Sequence, residues 1–158
     1  MRILGIDPGL ANVGWGVLDK LGSRYVYVKD GTIVTSSSMS LKDRIKLISA
    51  ELDLVIDKFR PDVASVEDIY FAKNKKTAMV IAEARGAIIL TLAIKDTNFY
   101  SYTPIQVKSA ISGFGGLRKV QVKYMVRILL GMGSDFMFTS DHSSDALALA
   151  ICHGNYQL

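Results

Sequence analysis

Three carboxylates in this sequence sit where chain elements stop. Asp7 closes the apolar run Arg2–Asp7 and is followed at once by Pro8-Gly9, which turns the chain and ends the strand. Glu67 follows the apolar run Val63–Val66 in the same way. If the two strands are neighbours in one sheet, their ends place both carboxylates at one edge. The third element is the helix start Ser140-Asp141-His142-Ser143-Ser144-Asp145. Residues three and four apart share a helix face, so His142 or Asp141 joins Asp145 there. Clustered carboxylates repel one another unless a cation sits among them. Hard oxygen donors in that number suit Mg²⁺ or Mn²⁺. Two such ions ~4 Å apart can activate a water and stabilise the leaving oxygen of an in-line phosphoryl displacement. Each residue alone has a plainer reading: Asp7 as part of a turn, Glu67 as a solvated strand end, Asp141 as a charge complementing the helix dipole. Three carboxylates ending three elements favour the metal site.

The elements that must position these groups follow from periodicity. Arg2–Asp7 is a short buried strand; Val13–Asp19 and Arg24–Val34 alternate and are β-branched or aromatic, with Leu21-Gly22-Ser23 as the turn between them. Leu41, Ile45, Ile48, Leu52, Val55 and Phe59 step by four and three along one face of a helix. Ser40 with Asp43 starts that helix and Pro61 stops it. Val63–Val66 and Phe99–Tyr102 are short strands, and Lys75 to Ile94 is a long helix, nearly all apolar past Arg85. Pro104 opens a short helix, Ser112–Gly116 is a glycine-rich loop, and Arg118–Leu130 and Asp141–His153 are the last helices. The run Ala146–Ile151 is apolar all round and rich in small residues, so its helix must lie against the sheet with its first turn at the strand ends. The order β-β-β-α-β-α-β-α-α-α predicts an α/β fold, a mixed five-stranded sheet with helices on both faces, as expected of a ribonuclease-H-like fold.

Charge adds a second signal. The chain of 158 residues carries 19 Lys plus Arg against 15 Asp plus Glu, net +4. Residues 70–127 hold ten of the basic residues and only two acids, Glu83 and Asp96, so that stretch is +8 and the remainder −4. A basic middle suggests a polyanion surface; solvated lysine faces on helices are the bland alternative. The length fits one domain, 1–158, and not two full ones. With 49% hydrophobic residues the chain can build a core. No apolar run reaches the roughly 18–20 residues of a membrane span, and the start lacks the regions of a signal peptide. One cysteine, Cys152, cannot form an internal disulfide, so a cytoplasmic location is expected and secreted, membrane-spanning and disulfide-scaffold classes are excluded.

Gly5-Ile6-Asp7-Pro8-Gly9, then Gly14-Trp15-Gly16-Val17, resembles the opening of the RuvC family of Holliday-junction resolvases. The likeness continues through Val66 to Asn74 (Val-Glu-Asp-Ile-Tyr-Phe-Ala-Lys-Asn), Ala84-Arg85-Gly86, Gln106-Val107-Lys108, Lys119-Val120-Gln121-Val122 and Asp145-Ala146-Leu147-Ala148-Leu149-Ala150. The Glu67 to Asn74 block with the Asp145 helix is specific; the opening alone is shared with sugar-kinase and actin-like ATPases. The resemblance implies a homodimeric endodeoxyribonuclease that resolves four-way DNA junctions by paired nicks, with Asp7, Glu67, His142 and Asp145 as metal-binding catalytic residues. It implies two Mg²⁺ per site with Mn²⁺ as substitute, and work beside the RuvA–RuvB branch-migration complex. Relatives carry aspartate or histidine at the position of His142, and Asp141 beside it could partly substitute. Lys73, Asn74, Lys75, Lys76, Arg85, Lys108, Arg118 and Lys119 would line the phosphate path. Tyr70 stands where the family places a base-stacking aromatic, while packing is the alternative for it and its neighbour Phe71.

The loop Ser112–Gly116 lacks a following Gly-Lys-Ser/Thr and is not a nucleotide loop. The helix from Ala84 to Ile94 offers Ile88, Ile89 and Leu92 as a dimer face, with simple core as the competing reading. Among rival functions, a structured-RNA nuclease of the same fold would share Asp7 but not the Tyr-Phe-Ala-Lys-Asn block. An actin-like ATPase would need a second lobe. A non-catalytic junction-binding protein would be expected to lack one of the three carboxylates.

Overall fold

Ile3 and Leu4 point to opposite faces of one strand and are both fully buried, because helices cover both faces of the sheet they belong to. The computed structural model describes residues 1–68 and 75–156. The strands are β1 (Arg2–Asp7), β2 (Asn12–Leu21), β3 (Arg24–Val34), β4 (Val63–Glu67) and β5 (Phe99–Tyr102). The helices are α1 (Leu41–Phe59), α2 (Lys75–Ile94), α3 (Pro104–Ser112), α4 (Lys119–Leu129) and α5 (Asp141–Tyr156). Strand order is β3-β2-β1-β4-β5, with β1 to β3 an antiparallel meander and β4 and β5 parallel to β1. The expected mixed sheet is present. β2 is longer than the Val13–Asp19 expected, because it pairs with β3 up to Leu21 opposite Arg24, leaving Gly22-Ser23 as the turn with Gly22 at φ 60°.

Local signals set the ends. Ser40 caps α1 by accepting the Asp43 amide, and Arg60 closes it in the left-handed region just before Pro61. Thr103 and Gln106 form a capping box at the start of α3. One face of the sheet, through Leu4, Ile6, Val13 and Val17, buries Ile48 and Leu52 of α1 and Ala84, Ile88 and Leu92 of α2. The other, through Ile3, Leu18 and Val63, buries α3 (Val107, Ile111), α4 (Val122, Val126) and all of α5 from Leu147 to Cys152. Ile88 and Leu92 are therefore core, and the expectation that they face a partner subunit is corrected. The outward stripe of α2 is instead Met79, Gly86, Leu90 and Ile94.

Candidate active site

β1 and β4 are hydrogen-bonded parallel neighbours, in register from Ile3 beside Val63 to Ile6 beside Val66. The next residue on each strand is Asp7 and Glu67, so both carboxylates emerge at the same edge, as expected from the sequence. α5 crosses this edge because β1 and β2 let it come close. A Cβ at Gly5 would overlap the Ala146 carbonyl, and one at Gly14 would overlap the His142 carbonyl. The first turn of α5 is thereby held over the strand ends, with His142 Nδ1 2.8 Å from Asp7 Oδ2. Asp145 lies one turn further along, and its Oδ2 is 2.9 Å from Lys119 Nζ at the start of α4. Glu67, Asp145 and Lys119 share one cleft with Pro104, Val107, Lys108 and Val122, and the Asp7–His142 pair stands beside it at the strand ends.

The electrostatics are those of crowded acids. Glu67 is pushed up to about 7, chiefly by burial and then by the charges of Asp7 and Asp145. Asp145 is likewise raised by burial, against the opposing pull of Lys119. Burial lowers Lys119, but its bond to Asp145 and the charges of Asp145, Asp141 and Asp7 outweigh this and leave it raised. His142 is raised mainly by its bond to Asp7. No cation of the described residues bonds the Glu67 carboxylate, whereas Lys119 bonds Asp145 and His142 bonds Asp7. Among the described residues no three acidic, histidine or cysteine side chains form a closed cation cage. The donor set nevertheless fits a hard divalent ion: three clustered carboxylates and an imidazole, whose mutual repulsion an incoming cation relieves better than one mobile ammonium.

The remaining sequence expectations divide. Asp141 does not join this cluster; its carboxylate pairs with Lys123 at 2.9 Å and is held low by that bond. His142 does, through its contact with Asp7. Lys108 and Lys119 line the cleft, and Arg118 is the N-cap of α4 beside them. Arg85 faces inward: Nε donates to the Glu67 carbonyl at 3.1 Å, a terminal nitrogen donates to Ser101 at 2.7 Å, and Asp68 is 3.4 Å away. These bonds steady the end of β4. Tyr70, Lys73 and Asn74 lie outside the described residues, as do the side chains of Lys75 and Lys76. Sequence reasoning passed over Asp30. This buried β3 carboxylate accepts from Tyr27 Oη at 2.6 Å, from the Thr139 amide at 2.8 Å and from Ser143 Oγ, tying the meander to the start of α5. An acid followed by glycine inside an alternating strand was its only trace.

Sheet order, two helical layers and an acidic cleft at the strand ends define an α/β protein of the ribonuclease-H-like class. The pattern described as "Crossover junction endodeoxyribonuclease RuvC" matches residues 3–153. The chain belongs to the RuvC family of crossover junction endodeoxyribonucleases. It is 73% identical to the Borrelia turicatae protein of that name, covering 100% of this chain and 98% of that one. To the Caldicellulosiruptor saccharolyticus protein it is 44% identical, over 97% and 92% of the two chains. The solved T. thermophilus RuvC in complex with Holliday junction substrate superposes with a TM-score of 0.91 at 32% identity, covering 99% of this chain and 94% of that one. The yeast mitochondrial resolvase Ydc2 (TM-score 0.68, 15% identity, covering 98% and 79%) shares the fold.

Proposed function

We propose that this chain, folded as one domain over residues 1–158, is a metal-dependent endodeoxyribonuclease that resolves four-way DNA junctions. The observation that carries the reading is Glu67 and Asp145 in one lysine-lined cleft of a RuvC-family chain, with Asp7 at the neighbouring strand end close enough to raise Glu67 and His142 bonded to Asp7. These four side chains would hold the metal, with Mg²⁺ as the first candidate and Mn²⁺ as a substitute that the imidazole tolerates well. Two bound ions would supply Lewis acidity and an activated water for displacement at phosphorus. The chain's own residues do the rest. Glu67, desolvated and raised to about 7, would give up its proton to a bound cation. Lys119, Lys108 and Arg118 would hold the phosphate backbone beside the carboxylates.

Paired nicks need two sites, and one domain of this size holds one. A C₂ homodimer supplies the second. The apolar outward stripe of α2, together with exposed Leu54 of α1 across a shallow groove from Leu90, is the surface to bury. No helix of the described residues is long and apolar enough to cross a membrane. A DNA junction as substrate favours the cytoplasm, with the RuvA–RuvB branch-migration complex as the expected partner. The test is incubation with a synthetic four-way junction or a linear duplex of the same sequence, with and without Mg²⁺. Symmetric, Mg²⁺-dependent nicks in the junction alone are expected. Equal cutting of the duplex, or cutting in chelator, would overturn the reading.

A further inference from the structure

The loop between α3 and α4, the helices that bring Lys108 and Lys119 to the cleft, carries an apolar patch that the chemistry above leaves unused. α3 ends at Ser112, Gly113 takes the left-handed conformation at φ 75°, and the chain runs through Phe114-Gly115-Gly116-Leu117 to Arg118. Phe114 is 65% exposed and Ile105, on the first turn of α3, is 61% exposed. Neither is loose. Ser112 Oγ accepts the Phe114 amide at 3.1 Å, while Leu117 packs on the core below. A Cβ at Gly116 would come 2.5 Å from the outer edge of the Phe114 ring, so the ring rests on glycine backbone. A Cβ at Gly115 would stand 3.1 Å from Ile105 Cγ2, which brings the second apolar side chain against the same loop.

The surroundings say what such a patch would meet. The loop joins the two walls of the cleft, Lys108 on α3 and Lys119 on α4, opposite Glu67 and Asp145. From Pro104 to Arg127 the chain has five basic residues (Lys108, Arg118, Lys119, Lys123 and Arg127) and no acid. A propped aromatic ring inside a cationic frame matches a polyanion that also offers flat apolar faces, and single-stranded nucleic acid is that ligand. Phosphates go to the ammonium groups and a base goes to the ring. A base in linear duplex has both faces stacked, whereas one at a strand crossover can be splayed out.

We propose that Phe114, supported by Gly116 and Ile105, is a stacking platform for an unpaired base of the strand entering the cleft, and so helps to choose where that strand is cut. The proposal rests on the junction-resolving reading above. Its test uses the full chain and a four-way junction with 2-aminopurine placed in turn at each nucleotide beside the crossover. The unaltered protein should change the fluorescence of one position on binding. Phe114→Ala should abolish that change, weaken junction binding about tenfold, shift the preferred cutting position, and leave duplex binding and the melting temperature as they were. The contact is uncharged, so the salt dependence of binding should keep its slope, whereas Lys108→Ala should flatten it by roughly one unit. Phe114→Trp should preserve the signal and Phe114→Leu should lose it, separating stacking from mere apolar bulk. Junction binding, cutting position and fluorescence unchanged in Phe114→Ala would overturn the platform while leaving the nuclease reading intact. An unaltered protein that fails to prefer junction over duplex would overturn the functional reading and the platform with it.

Discussion

Replacing Glu67 by glutamine should make the metal-free protein more stable, and the gain should depend on pH. The carboxyl titrates at about 7 in the fold against an ordinary value of 4.5, with burial as the first cause and Asp7 and Asp145 behind it. Below about 4.5 it is protonated folded or unfolded and contributes nothing. Between 4.5 and about 7 the unfolded chain releases this proton and the folded chain keeps it, so stability falls through that window and levels off above it. At 1.36 kcal/mol per unit the full penalty is about 3 kcal/mol. Glutamine keeps the shape of the side chain and never ionises. Urea unfolding in chelator, followed by the single tryptophan Trp15 packed beside Phe59, measures the difference at pH 4.5 and pH 8. The expected result is near equality at the lower pH and a variant more stable by about 3 kcal/mol at the higher. Saturating Mg²⁺ at pH 8 should stabilise the unaltered protein more than the variant. Parallel stability curves across the whole range would refute the crowded-acid description of the cleft.

His142→Ala should slow cutting and leave junction binding in place, because the imidazole contacts Asp7 and lies away from Lys108 and Arg118; full activity in both Mg²⁺ and Mn²⁺ would remove His142 from the site. Leu90→Glu should leave the melting temperature nearly unchanged and convert dimer to monomer in sedimentation, with paired nicks becoming single ones. Ile88→Ala, by contrast, should cost about 2–5 kcal/mol of stability, since its side chain is fully buried between α2 and the sheet. Asp30→Ala takes the acceptor from the Thr139 amide and the Tyr27 hydroxyl, leaves Ser143 Oγ only its bonds to Ser140, and should cost about 3 kcal/mol. It should also reduce cutting through displacement of the α5 start, and normal cleavage by a folded variant would contradict that positioning role.

The parts of this protein legible in sequence are those written in local patterns. Asp7-Pro8-Gly9 and Glu67 announce strand ends, and the small-residue run after Asp145 announces a helix packed on the sheet; the fold and the RuvC family follow from their order. Parallel pairing of β1 with β4 then brings Asp7 and Glu67 together without further instruction. What stayed hidden depends on tertiary direction. α2 is apolar nearly all round, so periodicity could not tell its core face from its outward face and left Ile88 and Leu92 between the two; they are core. Asp141 and His142 are adjacent in sequence, and only the Lys123 bond and the Asp7 bond separate their roles. Arg85 looks like any cation of the basic segment until its bonds to Glu67 and Ser101 turn it inward. Asp30 finds its partners on the far side of the chain, more than a hundred residues away at Thr139 and Ser143.

The central claim is that Asp7, Glu67 and Asp145 perform the cutting while the cations of α3 and α4 hold the DNA. Binding and incision of one labelled four-way junction, measured in the same samples with Mg²⁺ for Asp7→Asn, Glu67→Gln and Asp145→Asn, separate the two. Junction binding within a fewfold of the unaltered protein, with incision lost in all three, is the predicted result; normal incision by any one of them would contradict it.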